Sequence, residues 1–377
     1  MDIQTQESAA TISLAKGIDV GKIERELKAM WRTDDDSAGV TRACTMNLVV
    51  HANAGDDINT LGDDLTLVNG AHPGRVVVLV ADREAQDPRL EAETSVRCRQ
   101  LGAHQIVCGE QVTLYADGPA LATVNTAVAP LLLPDVPVFL WWSDIPHYED
   151  RLFNTLADLA DRVVIDSATF DNPHEDTRHL AEVLTTHKEF GHFSDLNWGR
   201  LTSWRTLLAS FWDVDDYRPF LDKIDRVVVS YDPPDMSHNE IAAQPLLLVG
   251  WLASRLGWEV LKGESGTEAS WFTLRDAGRD IVVEMRPEPD REGHDAFLSS
   301  ISLSSQGRAS FYIGINWDGP KLETKAQIDG SQAVGRVLFY EQKTAAQRLS
   351  REMGILKRDG VYEAALKIVA QMLGTLK

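Results

Sequence analysis

Arg75-Val76-Val77-Val78-Leu79-Val80 decides the fold of this chain. The five residues after Arg75 are apolar and mostly β-branched, without polar alternation. That is the pattern of a strand buried on both faces. Val136 to Trp142 and Val163-Val164-Ile165 repeat it, and Thr45 to Val50 reads as a further strand. Segments with helical spacing lie between them: Asp56 to Asn69 before the first run, and Leu152, Leu156 and Leu159 between the second and third. Strands alternating with helices predict an open, mostly parallel sheet with helices on both faces. Within this region Pro88 is read as opening a helix that reaches Gln100. Gln105 to Val107 and Gln111 to Tyr115 are read as a strand pair, and Ala120 to Leu133 as a helix.

Outward from that core, Asp19 can cap a helix whose face carries Val20, Ile23, Leu27 and Met30. On the other side, Arg226 to Tyr231 is another buried-type strand, and Ile241 to Gly257 is apolar almost all round, as a core helix should be. Trp271 to Leu274 and Ile281 to Met285 flank the turn Asp276-Ala277-Gly278-Arg279. Phe311, Ile313, Ile315 and Trp317 share one face, as do Leu322, Thr324, Ala326 and Ile328, which predicts a half-exposed antiparallel meander. Helices are expected over about 331–352 and 361–376. The 377 residues exceed one ordinary core. The expected organisation is therefore an N-terminal segment with one helix (1–39), an α/β domain (40–170) and an α+β domain with the meander (171–377).

Hydrophobic residues make up 44 % and charged residues 25 %, ordinary globular values, and the formal charge is −20. With no basic run or basic helix face, binding to nucleic acid or to an anionic membrane is not expected. No apolar stretch approaches the roughly 18 residues of a membrane span, and Met1 to Ala15 lacks the apolar core of a signal peptide. Three cysteines without framework spacing, Cys44, Cys98 and Cys108, point to a reducing, cytoplasmic setting. They read as small buried hydrophobes or, alternatively, as redox-sensitive thiols. Cys98 and Cys108 are the pair best placed to meet, since only a short connection separates them.

Catalytic motifs are sparse. No G-x-G-x-x-G follows a strand, so no dinucleotide cofactor is expected, and no G-x-S-x-G elbow is present. Gly330 and Gly335 give half of a P-loop, but Arg336 and Val337 stand where Lys and Ser or Thr would meet phosphate and magnesium. His174, Glu175, Asp176, His179, Glu182, His187 and His192 form the densest polar cluster. The histidine spacings of five, eight and five do not match the i,i+4 pairing of a helical metal site, so no metal is assigned. His72-Pro73-Gly74-Arg75 reads as a tight turn that presents His72 and Arg75, either as plain punctuation or as an anion or partner contact. Among ten tryptophans, the adjacent Trp141 and Trp142 end a strand whose side chains alternate faces. One should pack inward and the other is a candidate partner anchor. Trp198, Trp204 and Trp212 crowd one short stretch and read first as core.

Several longer blocks resemble the OpcA family. They are Arg42-Ala43-Cys44-Thr45-Met46-Asn47-Leu48-Val49-Val50, then His72-Pro73-Gly74-Arg75, then Leu133-Pro134-Asp135-Val136-Pro137-Val138-Phe139-Leu140-Trp141-Trp142. Leu159-Ala160-Asp161-Arg162-Val163-Val164-Ile165-Asp166-Ser167 and Asp195-Leu196-Asn197-Trp198-Gly199-Arg200-Leu201-Thr202 follow in family order. The resemblance implies a non-catalytic protein that binds glucose-6-phosphate dehydrogenase and promotes its assembly and allosteric activation. It also implies thiol redox control, without saying which cysteine carries it. Two rival readings remain. One is a sugar-phosphate enzyme, with the His72–Arg75 turn holding phosphate and the 174–192 histidine cluster moving protons. The other is an adaptor for a different client.

Overall fold

The computed structural model describes residues 8–12, 18–34, 40–42, 44–100, 106–147, 149–186, 192–234, 237, 239–288, 298–316, 319, 321–333, 335–339, 343–355 and 357–376. In chain order the first elements are β1 (Ser8–Ile12), α1 (Val20–Asp34), β2 (Val40–Arg42), β3 (Asn47–Asn53), α2 (Ile58–Ala71), β4 (Arg75–Asp82), β5 (Arg89–Gln100) and β6 (Ile106–Asp117). Then come α3 (Asn125–Val128), β7 (Val138–Trp141), α4 (Arg151–Ala157), β8 (Arg162–Ile165), α5 (Pro173–Thr186), β9 (His192–Asp195), α6 (Leu196–Arg200) and α7 (Thr202–Phe211). They are followed by β10 (Ile224–Tyr231), α8 (Ala243–Leu256), β11 (Glu259–Glu264), β12 (Ser270–Asp276), β13 (Arg279–Pro287), β14 (Leu298–Ser305), β15 (Ala309–Asn316) and β16 (Lys321–Ile328). The last are β17 (Ser331–Ala333), β18 (Val337–Phe339), α9 (Ala345–Met353) and α10 (Gly360–Thr375). No helix among the described residues is long and apolar enough to cross a membrane.

The chain divides into two units that are not contiguous in sequence. Unit 1 takes residues 1–165, 187–194 and 343–358, and unit 2 takes 166–186, 195–342 and 359–377. The boundary expected near 170 thus falls at Ile165. The N-terminal segment belongs to unit 1, because β1 pairs with β5, and unit 1 reclaims α9 from the C-terminal third.

The sheet of unit 1 has the order β1-β5-β6-β4-β3-β7-β8-β9, with β2 beside β6. β6, β4, β3, β7 and β8 are parallel to one another. Val76 to Val80 are all buried, as are Val163 to Ile165, which fits strands covered on both faces. Winding starts at the central β3, runs outward through β4 to β6, then jumps back across β3 to β7 and β8. The Asn47 side chain fixes that jump. Its Nδ2 donates to the Leu133 carbonyl at 2.9 Å and its Oδ1 accepts from Leu133 N–H at 2.8 Å, which ties the start of β3 to the approach to β7. Gly74 is required where β4 begins, since a Cβ there would lie 2.3 Å from the Met46 carbonyl oxygen.

Three sequence expectations fail here. The helix expected from Pro88 to Gln100 is the strand β5. Ala92, Thr94 and Val96 are buried while Glu91, Glu93, Ser95 and Arg97 are half-exposed, a period of two that small residues disguised. Cys98 is therefore a strand residue, not a helical one. The supposed strand pair around 105–115 is one long strand, β6. The helix expected over 120–133 breaks into 3-10 turns around the four residues of α3, with Pro130 interrupting it.

Unit 2 holds the sheet β11-β12-β13-β10-β14-β15-β16-β17, with β18 also beside β16. Only the β10–β13 contact is parallel among its pairs. The expected meander is present. Ala277 and Gly278 carry positive φ in the two-residue turn from β12 to β13. Phe311 and Ile313 of β15, with Leu322, Thr324 and Ala326 of β16, face the core. Trp317 lies outside the described residues. α8 is buried nearly throughout, as its composition predicts, and packs on α10. The helix expected over 331–352 is wrong in its first half, which forms β17 and β18. Asp329 and Gly330 turn the chain with positive φ. The half P-loop is thus a hairpin turn followed by strands, not a loop opening a helix.

Arg75, the first residue of β4, is 2 % exposed. Its Nε and Nη2 donate to Glu110 Oε2 at 2.8 and 2.6 Å, and its Nη1 donates to Glu24 Oε1 at 2.5 Å and to the Leu131 carbonyl at 2.8 Å. One guanidinium thus ties α1, β4, β6 and the turn before β7. Removing one partner of a buried ion pair strands the other charge, and such losses run to about 3–5 kcal/mol. Arg75→Met should therefore lower stability by about that much in urea unfolding, because Glu110 is fully buried. Arg75→Met with Glu110→Leu should recover most of the loss. Equal midpoints for wild type and the single variant would refute the assignment.

Candidate functional site

A doubly wound sheet opens a crevice at the C-terminal ends of the two strands where its winding reverses, and ligands of such folds bind there. In unit 1 those strands are β3 and β7. The turn after β3 is Asn53-Ala54-Gly55-Asp56-Asp57, with one glycine and two carboxylates. Asp56 Oδ2 accepts from Asn53 N–H at 2.7 Å and closes the turn. Asp57 caps α2: its Oδ1 accepts from Asn59 N–H at 3.0 Å and Thr60 N–H at 3.2 Å, and its Oδ2 accepts from the Thr60 hydroxyl at 2.8 Å. The Thr60 hydroxyl, then the backbone donors, hold this carboxyl below the usual range. A helix N-terminus is an anion site. Here the chain's own carboxylate occupies it, and Asp56 adds a second negative charge beside it.

The crevice itself is filled by side chains. Trp142 is fully buried and stacks on His51, with ring centroids 3.9 Å apart and planes at 22°. Phe153 of α4 meets the Trp142 ring edge-on at 5.2 Å. His51 Nδ1 lies 3.1 Å from Ser143 Oγ, and Asn53 Nδ2 donates to Asp144 Oδ1 at 2.8 Å. Arg83 sits above the Trp142 ring and pairs with Asp150, the cap of α4, at 2.7 Å. Burial, opposed by Asp144, pushes the His51 imidazole down to about 4, so it is neutral at pH 7. Sequence reading missed His51 entirely. Its only signal was a polar residue inside the buried strand β3.

The expected site residues separate. Trp142 is the inward member of the tryptophan pair, so it cannot serve as a surface anchor. Trp141 is half-buried. Arg75 is no exposed phosphate or partner contact, because Glu24 and Glu110 consume its charge. His72 Nε2 lies 2.6 Å from the Ser350 carbonyl and so serves as a donor there. His174 Nε2 accepts from Ile241 N–H at 2.8 Å, a structural role at the start of α5. His187 lies outside the described residues, and His192 opens β9. No group of three or more His, Cys, Asp or Glu suited to a metal occurs among the described residues. Cys44 is a half-buried thiol ahead of β3. Cys108 is disulfide-bonded, and the residue facing it across the β5–β6 ladder is Cys98. Facing Cα atoms in such a ladder are about 4.5–5.5 Å apart, within bridging range.

In unit 2 two of the sequence blocks meet in a second buried cluster. Asp195 is fully buried. It accepts from Ser167 N–H at 3.0 Å, the Ser167 hydroxyl at 2.6 Å, Asn197 N–H at 2.8 Å and the Tyr362 hydroxyl at 3.2 Å. Arg200 grips Asp166 in two-pronged fashion at 2.5 and 2.7 Å. Trp198 donates from Nε1 to Asp359 at 2.8 Å, and Asp359 caps α10. Burial, with Asp166 nearby, raises the Asp195 carboxyl to about 6. Trp198 and Trp204 are core residues, as expected.

Comparison with known proteins gives consistent results. Residues 66–182 match the family model described as glucose-6-phosphate dehydrogenase subunit N-terminal domain, and residues 192–366 the one described as its C-terminal domain. The chain is 28 % identical to the OxPP cycle protein OpcA of Nostoc punctiforme, over 83 % of this chain and 67 % of that protein. It is 32 % identical to its namesake in Synechocystis, over 81 % of this chain and 65 % of that protein. The chain thus spans about two thirds of the length of these relatives. An oxidoreductase from Sinorhizobium meliloti aligns with a TM-score of 0.47 and 10 % identity, over 87 % of this chain and 89 % of that one. That likeness carries no argument about function.

The two perturbed groups predict opposite pH slopes. His51 is depressed from 6.5, so the stability it permits is full above that value and falls as pH drops toward 4, by about 3 kcal/mol. Asp195 is raised from 3.8, so its contribution is full below that value and is lost as pH rises through 6, also by about 3 kcal/mol. Relative to wild type, His51→Gln should become more stable on acidification from pH 6.5 to 4, and Asp195→Asn less stable. Denaturant unfolding at four pH values reads this, and two variants that both track the wild-type profile would sink it.

Proposed function

The chain belongs to the OpcA family, and from that premise we propose that it is a non-catalytic regulator of the oxidative pentose phosphate pathway. In this reading it binds glucose-6-phosphate dehydrogenase and promotes its assembly and allosteric activation. The supporting observation is the match of both family domains in order, over residues 66–182 and 192–366. The site chemistry is compatible with it. The helix end that would receive a phosphate holds Asp57, and the crevice that would receive a ring holds Trp142. The sugar-phosphate alternative draws on Arg75, whose charge is spent on two carboxylates, and on His174, whose acceptor nitrogen is spent on Ile241.

Activation requires that the regulator favour the active conformation of the dehydrogenase, so substrate should tighten the complex by the same factor. Trp141 is the aromatic of the adjacent pair left to touch a partner, and truncating a central anchor costs about 2 kcal/mol or more. Redox control is part of the proposal, with Cys98 and Cys108 as the pair. The test titrates this protein against the dehydrogenase of its own organism at limiting substrate, with and without dithiothreitol. Expected are binding, a rise in activity, a shift in affinity on reduction that Cys108→Ser abolishes, and weaker binding by Trp141→Ala. The protein alone should reduce no nicotinamide with glucose 6-phosphate. Failure of wild type to bind or activate in either redox state would overturn the reading.

A further inference from the structure

The sheet of unit 2 has one face packed in the core and one turned outward. The outward face is set by register. Trp271 lies opposite Glu284, Thr273 opposite Val282 and Arg275 opposite Asp280. Arg226 and Val228 of β10 continue the row to Ser304 and Ser302 of β14, then to Ser310 and Tyr312 of β15, and to Gln327 and Lys325 of β16. Val337 and Phe339 of β18 end it, opposite Glu323 and Lys321. These positions are half-buried or exposed, Glu284 excepted, while their strand neighbours are mostly buried. Among the described residues, four of the six exposed large hydrophobics lie here: Trp271 at 38 %, Val282 at 40 %, Val337 at 58 % and Phe339 at 75 %.

The middle of the face is low. Ser300, Ser302 and Ser304 run down its middle. Tyr312 lies down across Gly314, where a Cβ would sit 2.1 Å from the Tyr312 hydroxyl, so the ring does not stand into solvent. At its β15–β16 end the face dips into a hollow of about 610 Å³, lined in part by Ser310, Tyr312, Lys325, Gln327, Arg336 and Val337. Eight strands about 4.8 Å apart and five or six residues tall give roughly 700 Å². A stable interface takes about 800 Å² from each partner.

Charge selects the occupant. The chain as a whole carries −20, yet on β10 to β16 and β18 this face bears Arg226, Lys262, Arg275, Arg286, Lys321 and Lys325 against Glu259, Glu264, Asp280, Glu284 and Glu323. Arg275 pairs with Asp280, and Arg226 and Arg286 share Glu284. Lys325 and Lys321 sit over the Tyr312 and Phe339 rings. A second copy packed face to face would offer Lys321 and Lys325 a surface with no excess of carboxylates, and would set serine against serine. The fitting occupant is a different protein, with apolar side chains to meet the two ends of the face and carboxylates to meet the lysines.

We propose that this outward sheet face of unit 2 is where the chain docks on its protein partner, through an acidic, apolar-studded surface of that partner. The inference rests on the regulatory reading above and adds the surface by which it acts. The test uses the full chain and the dehydrogenase of its organism, with affinity measured at low and at moderate salt. Ser302→Arg puts a bulky cation at the centre of the face, and Lys321→Glu with Lys325→Glu reverses its charge. Both should fold as wild type by circular dichroism and bind at least tenfold more weakly. Wild-type binding should weaken with salt, and the reversed variant should lose that dependence. If wild type binds while both variants match it, or only Trp141→Ala is impaired, the docking surface is overturned and the regulatory reading stands. If wild type does not bind, both fall. A wild-type chain that light scattering finds dimeric, and that Ser302→Arg makes monomeric, assigns the face to a second copy and overturns the proposal.

Discussion

The reversal of winding at β3 is the constraint from which unit 1 follows. A sheet that grows outward from its central strand in both directions must leave a crevice beside that strand's C-terminal end. Something has to satisfy the polar groups and apolar walls exposed there. This chain satisfies them from within. Trp142 and His51 stack in the gap, Asn53 and Asp144 bond across it, and Asp57 takes the N–H groups of α2. Each of these groups would have to leave before a nucleotide could enter. The absence of a glycine-rich turn after β3 thus goes with a crevice that is packed as core.

Buried polar clusters then fix what apolar packing leaves free. Hydrophobic strands such as β4 and β8 could slide or pair in several ways, since one valine resembles another. Arg75 accepts only one arrangement of α1, β4 and β6, because two carboxylates must reach the same guanidinium. Asp195 does the same in unit 2 by collecting four donors from three segments. Such groups add little net stability against an apolar replacement, but leaving one unpaired is costly, so they penalise wrong arrangements. The sequence blocks that carry the family resemblance run through these clusters. Arg75, Asp166, Ser167, Asp195 and Arg200 are recognisable because architecture constrains them.

β4, β7 and β8 were legible because each rests on a short apolar run, and the meander because its faces alternate cleanly. β5 was not. Its inward residues Ala92, Thr94 and Val96 are small or polar, so the alternation scarcely registers beside the helix-like start at Pro88. β17 and β18 were read as helix because three-residue strands carry no period. The site was harder still. Trp141 and Trp142 were expected to point apart, but the inward one stacks on His51, 91 positions earlier in β3 and out of reach of any local pattern. Arg75 looked like a turn residue because its partners lie 51 residues before it and 35 after it. A charge looks exposed in sequence whenever the groups that bury it are distant.

The distribution of charge bears on the proposed docking of this chain on a partner. An acidic chain repels other acidic chains over most of its surface, and screening only shortens the reach of that repulsion. Close contact is cheapest where acids are offset by cations, and on the outward face of the second sheet six cations stand against five acids. That face could have been covered by helices, as the opposite face is by α8 and α10. Instead its middle is kept small with serines, and Tyr312 is laid flat over Gly314. In the proposed reading, a crevice filled from within and a sheet face left open among the described residues put recognition on the face rather than in the crevice. A face of that breadth suits a protein partner, and the hollow at its β15–β16 end is the part of it concave enough to bury a small molecule.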